Sequence, residues 1–506
     1  MTSPVLPTDI FRLIIGYLSP FEVQNARLVC KEFYELSKLR SVWNALIHKH
    51  ALHHNIPIPG LPPPLALRAH HAGPAGDISR ALDALSALEL EKRLLRALRL
   101  RQNWTSAMPV VKRRFNLDAI VQDHRIVSVH LLPNGKLVSH SVSQHFPRTA
   151  YLRCWDIDEA SPAGGPKCVA VRELRRSRGT VVDKTSSEVR IAVTRDAQVN
   201  ILSFDPSETS DPEKAFVTEV VDGEAHYIHF FTGTTLITGD AHDRIFFWDT
   251  RRPEEKAQLQ NHHLEDRSLL IRDVVVTEAY ILLLRTNTLE LYPNPSSNML
   301  ADGKPTVIHP AHVHQWPWRI DIGLLSLRRQ PKSRSNSADG IYIVMRYGSY
   351  FPWSINLLHH YELRANPIYS KGMPVSNTNV PFDFPPVLQD TIASPVRLHA
   401  ISDLAIGPYG TAVWTDSHTE DYFDRADQGQ RLAGKFFPFS RSQLDDDDEE
   451  DEGEGIELSD QVATAAATSV YAYHEGDNWV SVAVDETEGR IALGRDDGSI
   501  TVLEYV

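Results

Sequence analysis

The chain has 506 residues, 42% hydrophobic and 23% charged, with a formal net charge of −13. That balance is ordinary for a globular protein, no apolar run approaches the ~18 residues of a membrane span, and the acidic excess argues against general nucleic-acid binding. The cysteines, Cys30, Cys154 and Cys168, are too few and odd in number for a disulfide scaffold or zinc module. They point to a reducing compartment, cytoplasm or nucleus. Pro4, Pro7 and Asp9 interrupt the start, so no signal peptide is expected.

Residues 6–43 carry the densest signal. Ile10, Leu13, Ile14, Tyr17 and Leu18 share one helical face. Ser19-Pro20-Phe21-Glu22 restarts the chain, with Ser19 as N-cap, Pro20 in the first turn and Glu22 as the reciprocal capping residue. Leu28, Val29, Phe33 and Leu36 form the next apolar face, and Ser41 is the expected cap of a segment carrying Trp43, Leu46 and Ile47. Domains below about 40 residues need a disulfide, a metal or a partner. No cysteine pair is available here, so the expectation is a partner; a small helical cap folded onto the rest of the chain is the other reading.

This block resembles an F-box. Leu6, Pro7, Asp9, Ile10, Ile14, Tyr17, Leu18, Leu28, Val29, Cys30 and Trp43 follow that family's pattern in order, and Phe33 stands where the family often has Trp. The resemblance implies docking onto a Skp-type adaptor and, through it, a cullin ubiquitin-ligase scaffold. The residues it assigns to the adaptor are Leu6, Pro7, Ile10, Ile14, Leu18, Leu28, Val29, Cys30, Phe33 and Trp43.

Residues 51–76 are rich in Pro and His and read as a linker. His48, His50, His53 and His54 lack the carboxylate or thiol that would complete a metal site. One linker helix is expected over 77–106, capped by Asp77, with Leu82, Leu85, Leu88, Leu95 and Leu98 at helical spacing. Lys92, Arg93, Arg96, Arg99 and Arg101 complement the dipole of its last turns. It reads as a stiff spacer packed at one end on the next domain.

From Val110 the period shortens to that of strands. Residues 233–250, with Asp243 and a Trp248-Asp249 ending, resemble a WD-repeat, and Trp155-Asp156 repeats the ending. The segments starting at 135, 190, 235, 280, 341, 411 and 490 align as the second strands of seven units, 45 to 79 residues apart. Seven units suit a closed ring of four-stranded sheets. The last has three strands, so the strand near Val110–Leu117 is expected to cover its open edge. The turn residues ending the aligned strands are His140, Arg195, Asp240, Arg285, Arg346, Asp416 and Arg495. In propellers of this family that turn lies on the ligand face, and the four arginines suit an acidic or phosphorylated segment; independent, solvated turn residues are the plainer alternative.

Weaker features are an acidic run, Asp445 to Glu452, read as a loop at 445–454; a basic stretch from Arg328 to Arg334; aromatic clusters at Trp316–Trp318 and Tyr350–Trp353; and His262-His263, His312/His314 and His359-His360, which show no repeated ligand pattern. No phosphate-cradling loop, nucleophile elbow or metal-hydrolase spacing occurs, so neither a cofactor nor catalysis is expected. The expected architecture is α+β and multidomain: an all-α F-box at 4–50, the linker and linker helix, and an all-β, seven-bladed propeller at 110–506. The expected function is a non-catalytic substrate-recognition subunit of a ubiquitin ligase, or a non-ligase scaffold using the same adaptor.

Overall fold

The computed structural model describes residues 8–61, 74–117, 123–146, 148–158, 165–175, 177–186, 188–206, 211–242, 244–260, 270–295, 306–327, 340–348, 357–396, 402–417, 429–437 and 468–506. Four short helices open the chain: α1 (Thr8–Tyr17), α2 (Pro20–Ala26), α3 (Lys31–Leu36) and α4 (Arg40–Ile47). Ser19 and Glu22 form the expected reciprocal cap of α2. Ser41 does not cap α4: the helix begins one residue earlier, with Leu39 as its N-cap.

The expected single helix over 77–106 is two, α5 (Pro74–Asp83) and α6 (Ala87–Trp104). Ser86 and Glu89 form a second capping box, which ends one helix and starts the other. Along its 18 residues, about 27 Å at 1.5 Å per residue, α6 joins two cores. Leu90, Leu94 and Ala97 pack with Phe11, Ile15, Val23, Trp43, Leu46 and Ile47 of the first block. Leu100 and Trp104 pack with Val413, Tyr471, Trp479 and Tyr505 of the β domain. Polar bonds fix the same joint: Trp104 Nε1 donates to Thr411 Oγ1 at 2.9 Å, Tyr471 Oη to the Trp104 carbonyl at 3.0 Å, and the Gly60 amide to Glu488 Oε1 at 2.6 Å.

The β domain is a ring of seven sheets, each built on four antiparallel strands, and every segment aligned from sequence is the second strand of its own sheet. Each such strand is pressed between two neighbouring blades. Its inward and outward faces are therefore both apolar, and Tyr280–Arg285 and Thr411–Ser417 are buried at every position. The first strands of six blades carry a register shift near their start, at Ile126/Ser128, Ser177/Gly179, Ile228/Phe230, Ile271/Asp273, Ile320/Ile322 and Trp479/Ser481. A bulge of this kind bends the strand and re-aims its side chains. Polar side chains there tie one blade to the next: Asp273 accepts the Leu325 amide at 2.7 Å and Ser481 the Val129 amide at 3.2 Å; Asp403, just before the first strand of the blade without a shift, accepts the Val482 amide at 2.8 Å.

The ring closes as the strand count requires. β1 (Arg113–Leu117) pairs antiparallel with the last strand, Ile500–Glu504, with Phe115 opposite Val502. One sheet has five strands, because Thr306–Ile308, from the unit that follows it, adds parallel to Arg252–Leu259.

Candidate functional site

The first block has two apolar faces. Phe11 and Ile15 of α1 point into the core, and Phe11 meets Phe33 edge-on at 4.9 Å. On the other side of the same helix, Ile10, Leu13 and Tyr17 remain exposed, at 39%, 59% and 83%. In the turn after α2, Leu28 and Val29 are 88% and 72% exposed. Phe21, Tyr34 and Leu39 bring the exposed large apolar side chains of residues 10–39 to eight. Water-exposed leucines at single positions are unremarkable, but this density within thirty residues marks an interaction surface.

The residues assigned to the adaptor fall into three groups. Ile10, Leu28 and Val29 are exposed, whereas Ile14, Leu18, Cys30 and Phe33 are half-buried. Trp43 is wholly buried and donates Nε1–H to the Ser37 carbonyl at 2.7 Å, with the Arg27 guanidinium over its ring, so it supports the surface from within instead of contacting a partner. Arg27 is held by Glu91 of α6 at 2.6 Å. Leu6 and Pro7 lie outside the described residues. Leu13, Tyr17, Phe21, Tyr34 and Leu39 are exposed but not among the residues assigned to the adaptor, although Leu13 and Tyr17 share the i, i+3, i+7 stripe of Ile10.

The turn residues of the propeller do not form a ring of free arginines. Arg285 is 2% exposed, with Nε 2.8 Å from Glu290, which also accepts the Tyr292 hydroxyl at 2.6 Å. Arg346 is buried and donates to the Ser394 and Ser402 hydroxyls at 2.6 and 2.5 Å; burial lowers its pKa. Both satisfy the interior, which corrects the expectation that all four present an open fork to a ligand. Arg195 is exposed, 3.8 Å from Asp196, and Arg495 is half-buried. Asp240 and Asp416 hold Arg244 and Arg431 at 2.6 and 2.7 Å, and burial raises Asp416 to about 6. His140 is pushed down to about 4 by burial.

The histidine pairs pack against rings: His312 on Phe384 at 4.0 Å, His314 on Trp316 at 4.7 Å, and His360 on Phe437 at 3.9 Å. Trp316 is core, but Trp318 is 58% exposed. Among the described residues, no three His, Cys, Asp or Glu side chains come together as a metal site, and no helix is long and apolar enough to cross a membrane. Asp243, His262-His263, the Arg328–Arg334 stretch, Tyr350–Trp353 and the acidic run at 445–454 lie outside the described residues.

Residues 4–45 match the family model of the F-box domain. No curated protein matches the chain. Among solved structures, a chain from a humanised mutant of the Chaetomium thermophilum Polycomb Repressive Complex 2 is similar at 11% identity and a TM-score of 0.44, over 78% of this chain and 97% of that one. A chain of a mitotic checkpoint complex is similar at 9% identity and a TM-score of 0.41, over 78% of this chain and 91% of that one. The chain thus carries an F-box domain at its N-terminus, followed by a seven-bladed β-propeller.

Proposed function

We propose that this protein is a substrate-recognition subunit of a Skp–cullin–F-box ubiquitin ligase, in which the F-box docks on the adaptor and the propeller presents a target protein for ubiquitination. The observation that carries the reading is the exposed apolar set Ile10, Leu13, Tyr17, Leu28 and Val29 on a block whose other face is packed. Burying such side chains in a partner contributes about 1.5–3 kcal/mol each. The subunit needs no chemistry of its own. It raises the local concentration of target and holds its orientation. The helix α6 suits this role, because one rigid element is packed into both cores.

The test is co-expression of the full chain with a Skp-type adaptor and a cullin. The parent captures both. Leu28→Asp/Val29→Asp loses them while melting like the parent, as does replacement of Leu6 and Pro7 by Ala. Adaptor capture without cullin assigns the protein to a non-ligase scaffold instead, and adaptor capture unaffected by Leu28→Asp/Val29→Asp refutes the placement of the surface.

A further inference from the structure

A cavity of about 540 Å³ opens where the last blade meets the first. Its lining includes Val142 and Gln144 at the end of one second strand and Asp496 just after another, so it sits at the end of the ring that carries the second-to-third-strand turns. Val127, Val142 and Val480 make its walls apolar, and Val127 is 45% exposed. Gln144 Nε2 donates to the Asp496 carbonyl at 3.0 Å and stitches the two blades together.

Two exposed arginines, Arg125 and Arg148, stand at this cavity. Among the described residues neither guanidinium makes a hydrogen bond or ion pair. That of Arg148 lies 5.2 Å from the ring of Phe146, which is itself 85% exposed. The contrast with Arg285 and Arg346 is instructive, since those are spent on Glu290 and on serine hydroxyls inside the ring. Here the cationic forks are unspent, the walls are greasy, and the volume is in the range of ligand pockets. Of the charged side chains lining the cavity, Arg125 and Arg148 outnumber Asp496.

We propose that this notch binds a short acidic peptide segment of a target protein, with an apolar side chain entering between Val127 and Val480 and flanking Asp or Glu carboxylates meeting Arg125 and Arg148. The planar guanidinium fork pairs bidentately with carboxylate. The apolar walls reward one buried side chain, and together the two features select a sequence instead of any polyanion. The inference rests on the propeller being the target-binding half.

The experiment uses the full chain purified with its Skp-type adaptor and three fluorescein-labelled peptide libraries, read by fluorescence polarisation. One has a central Leu flanked by Glu, one replaces Glu by Lys, and one replaces Leu by Gly. The Glu/Leu library binds and weakens with salt. Arg125→Glu/Arg148→Glu lowers its affinity about tenfold or more, and Val127→Ser weakens it by a smaller factor, both variants melting like the parent. Undiminished binding by the folded Arg125→Glu/Arg148→Glu variant overturns the proposal, as does equal binding of the Gly library, or binding seen only when phosphoserine replaces Glu. Cullin capture is measured on the same preparations. Its retention without peptide binding removes the notch alone, whereas its loss counts against the ligase reading.

Discussion

The N-terminal helices and the propeller handle apolar surface in opposite ways. In the propeller, every second strand is covered on both sides by neighbouring blades, and the sheet left one strand short is completed by Arg113–Leu117. In the helical block, Trp43, Leu46 and Ile47 are covered by α6, yet Tyr17, Leu28 and Val29 remain in water. A ring can satisfy all its edges by closing on itself. A block of four short helices laid against one long helix leaves a second side that, among the described residues, stays exposed. The difference teaches where apolar surface is left over: the propeller offers shaped turns on a finished body, and the F-box offers an exposed apolar face of the kind that marks an interaction surface.

The strongest way to break this comparison is at the closure. Deleting residues 110–117 exposes the edge of Ile500–Glu504 and removes Phe115 from its packing. The expected result is loss of the cooperative β transition of the whole ring by circular dichroism, and a deletion variant melting like the parent contradicts ring closure. Next in size is Trp43→Ala, which empties a fully buried site and leaves the Ser37 carbonyl without its indole donor. It costs about 3–5 kcal/mol, seen as earlier melting of the helical block with the propeller transition unchanged. A single shifted transition for both regions shows instead that α6 makes one cooperative unit of them.

A smaller, pH-dependent effect probes the blade contacts. Burial raises Asp273 from 3.8 to about 6, against the opposing hydrogen bonds from the Leu325 and Val274 amides. Between those pH values the native state holds a proton that the unfolded chain has released. The stability this proton contributes is fully present below pH 3.8 and lost as pH rises through 6. Asp273→Asn has no such proton. Its stability relative to the parent, measured by urea unfolding, rises between pH 4 and 6 by on the order of 2–3 kcal/mol and is flat above pH 7. A gap independent of pH contradicts the buried carboxyl. Least of all on stability, Leu28→Asp/Val29→Asp shifts unfolding by under about 0.5 kcal/mol, because among the described residues both side chains are largely exposed. A large destabilisation shows that the surface is internal core after all.

Much of this was legible because local chemistry and tertiary demand agree. Ser19-Pro20-Phe21-Glu22 writes its own cap, and a capping box needs four residues and no context. The seven second strands stood out as apolar runs ending at a turn because burial on both faces removes alternation. The same capping logic applied at Ser86 and Glu89 shows the break between α5 and α6, which the continuous leucine spacing concealed. Arg285 misled for a different reason. Its partner Glu290 lies five residues away across a tight turn, and only the paired strands reveal that the two side chains meet inside the blade.

The amino-acid sequence by itself determined the order of parts, the Ser19–Glu22 capping box, the seven-fold strand repeat and the need for one extra strand, because each of these is a local pattern or a count. Which apolar face of α1 turns inward, whether an arginine ends in a core or at a pocket, and how Arg125, Val127, Arg148 and Val480 come to share one notch were decided only by the tertiary structure. Those outcomes depend on which surfaces remain after blades and helices have covered one another, and no stretch of neighbouring residues encodes that remainder.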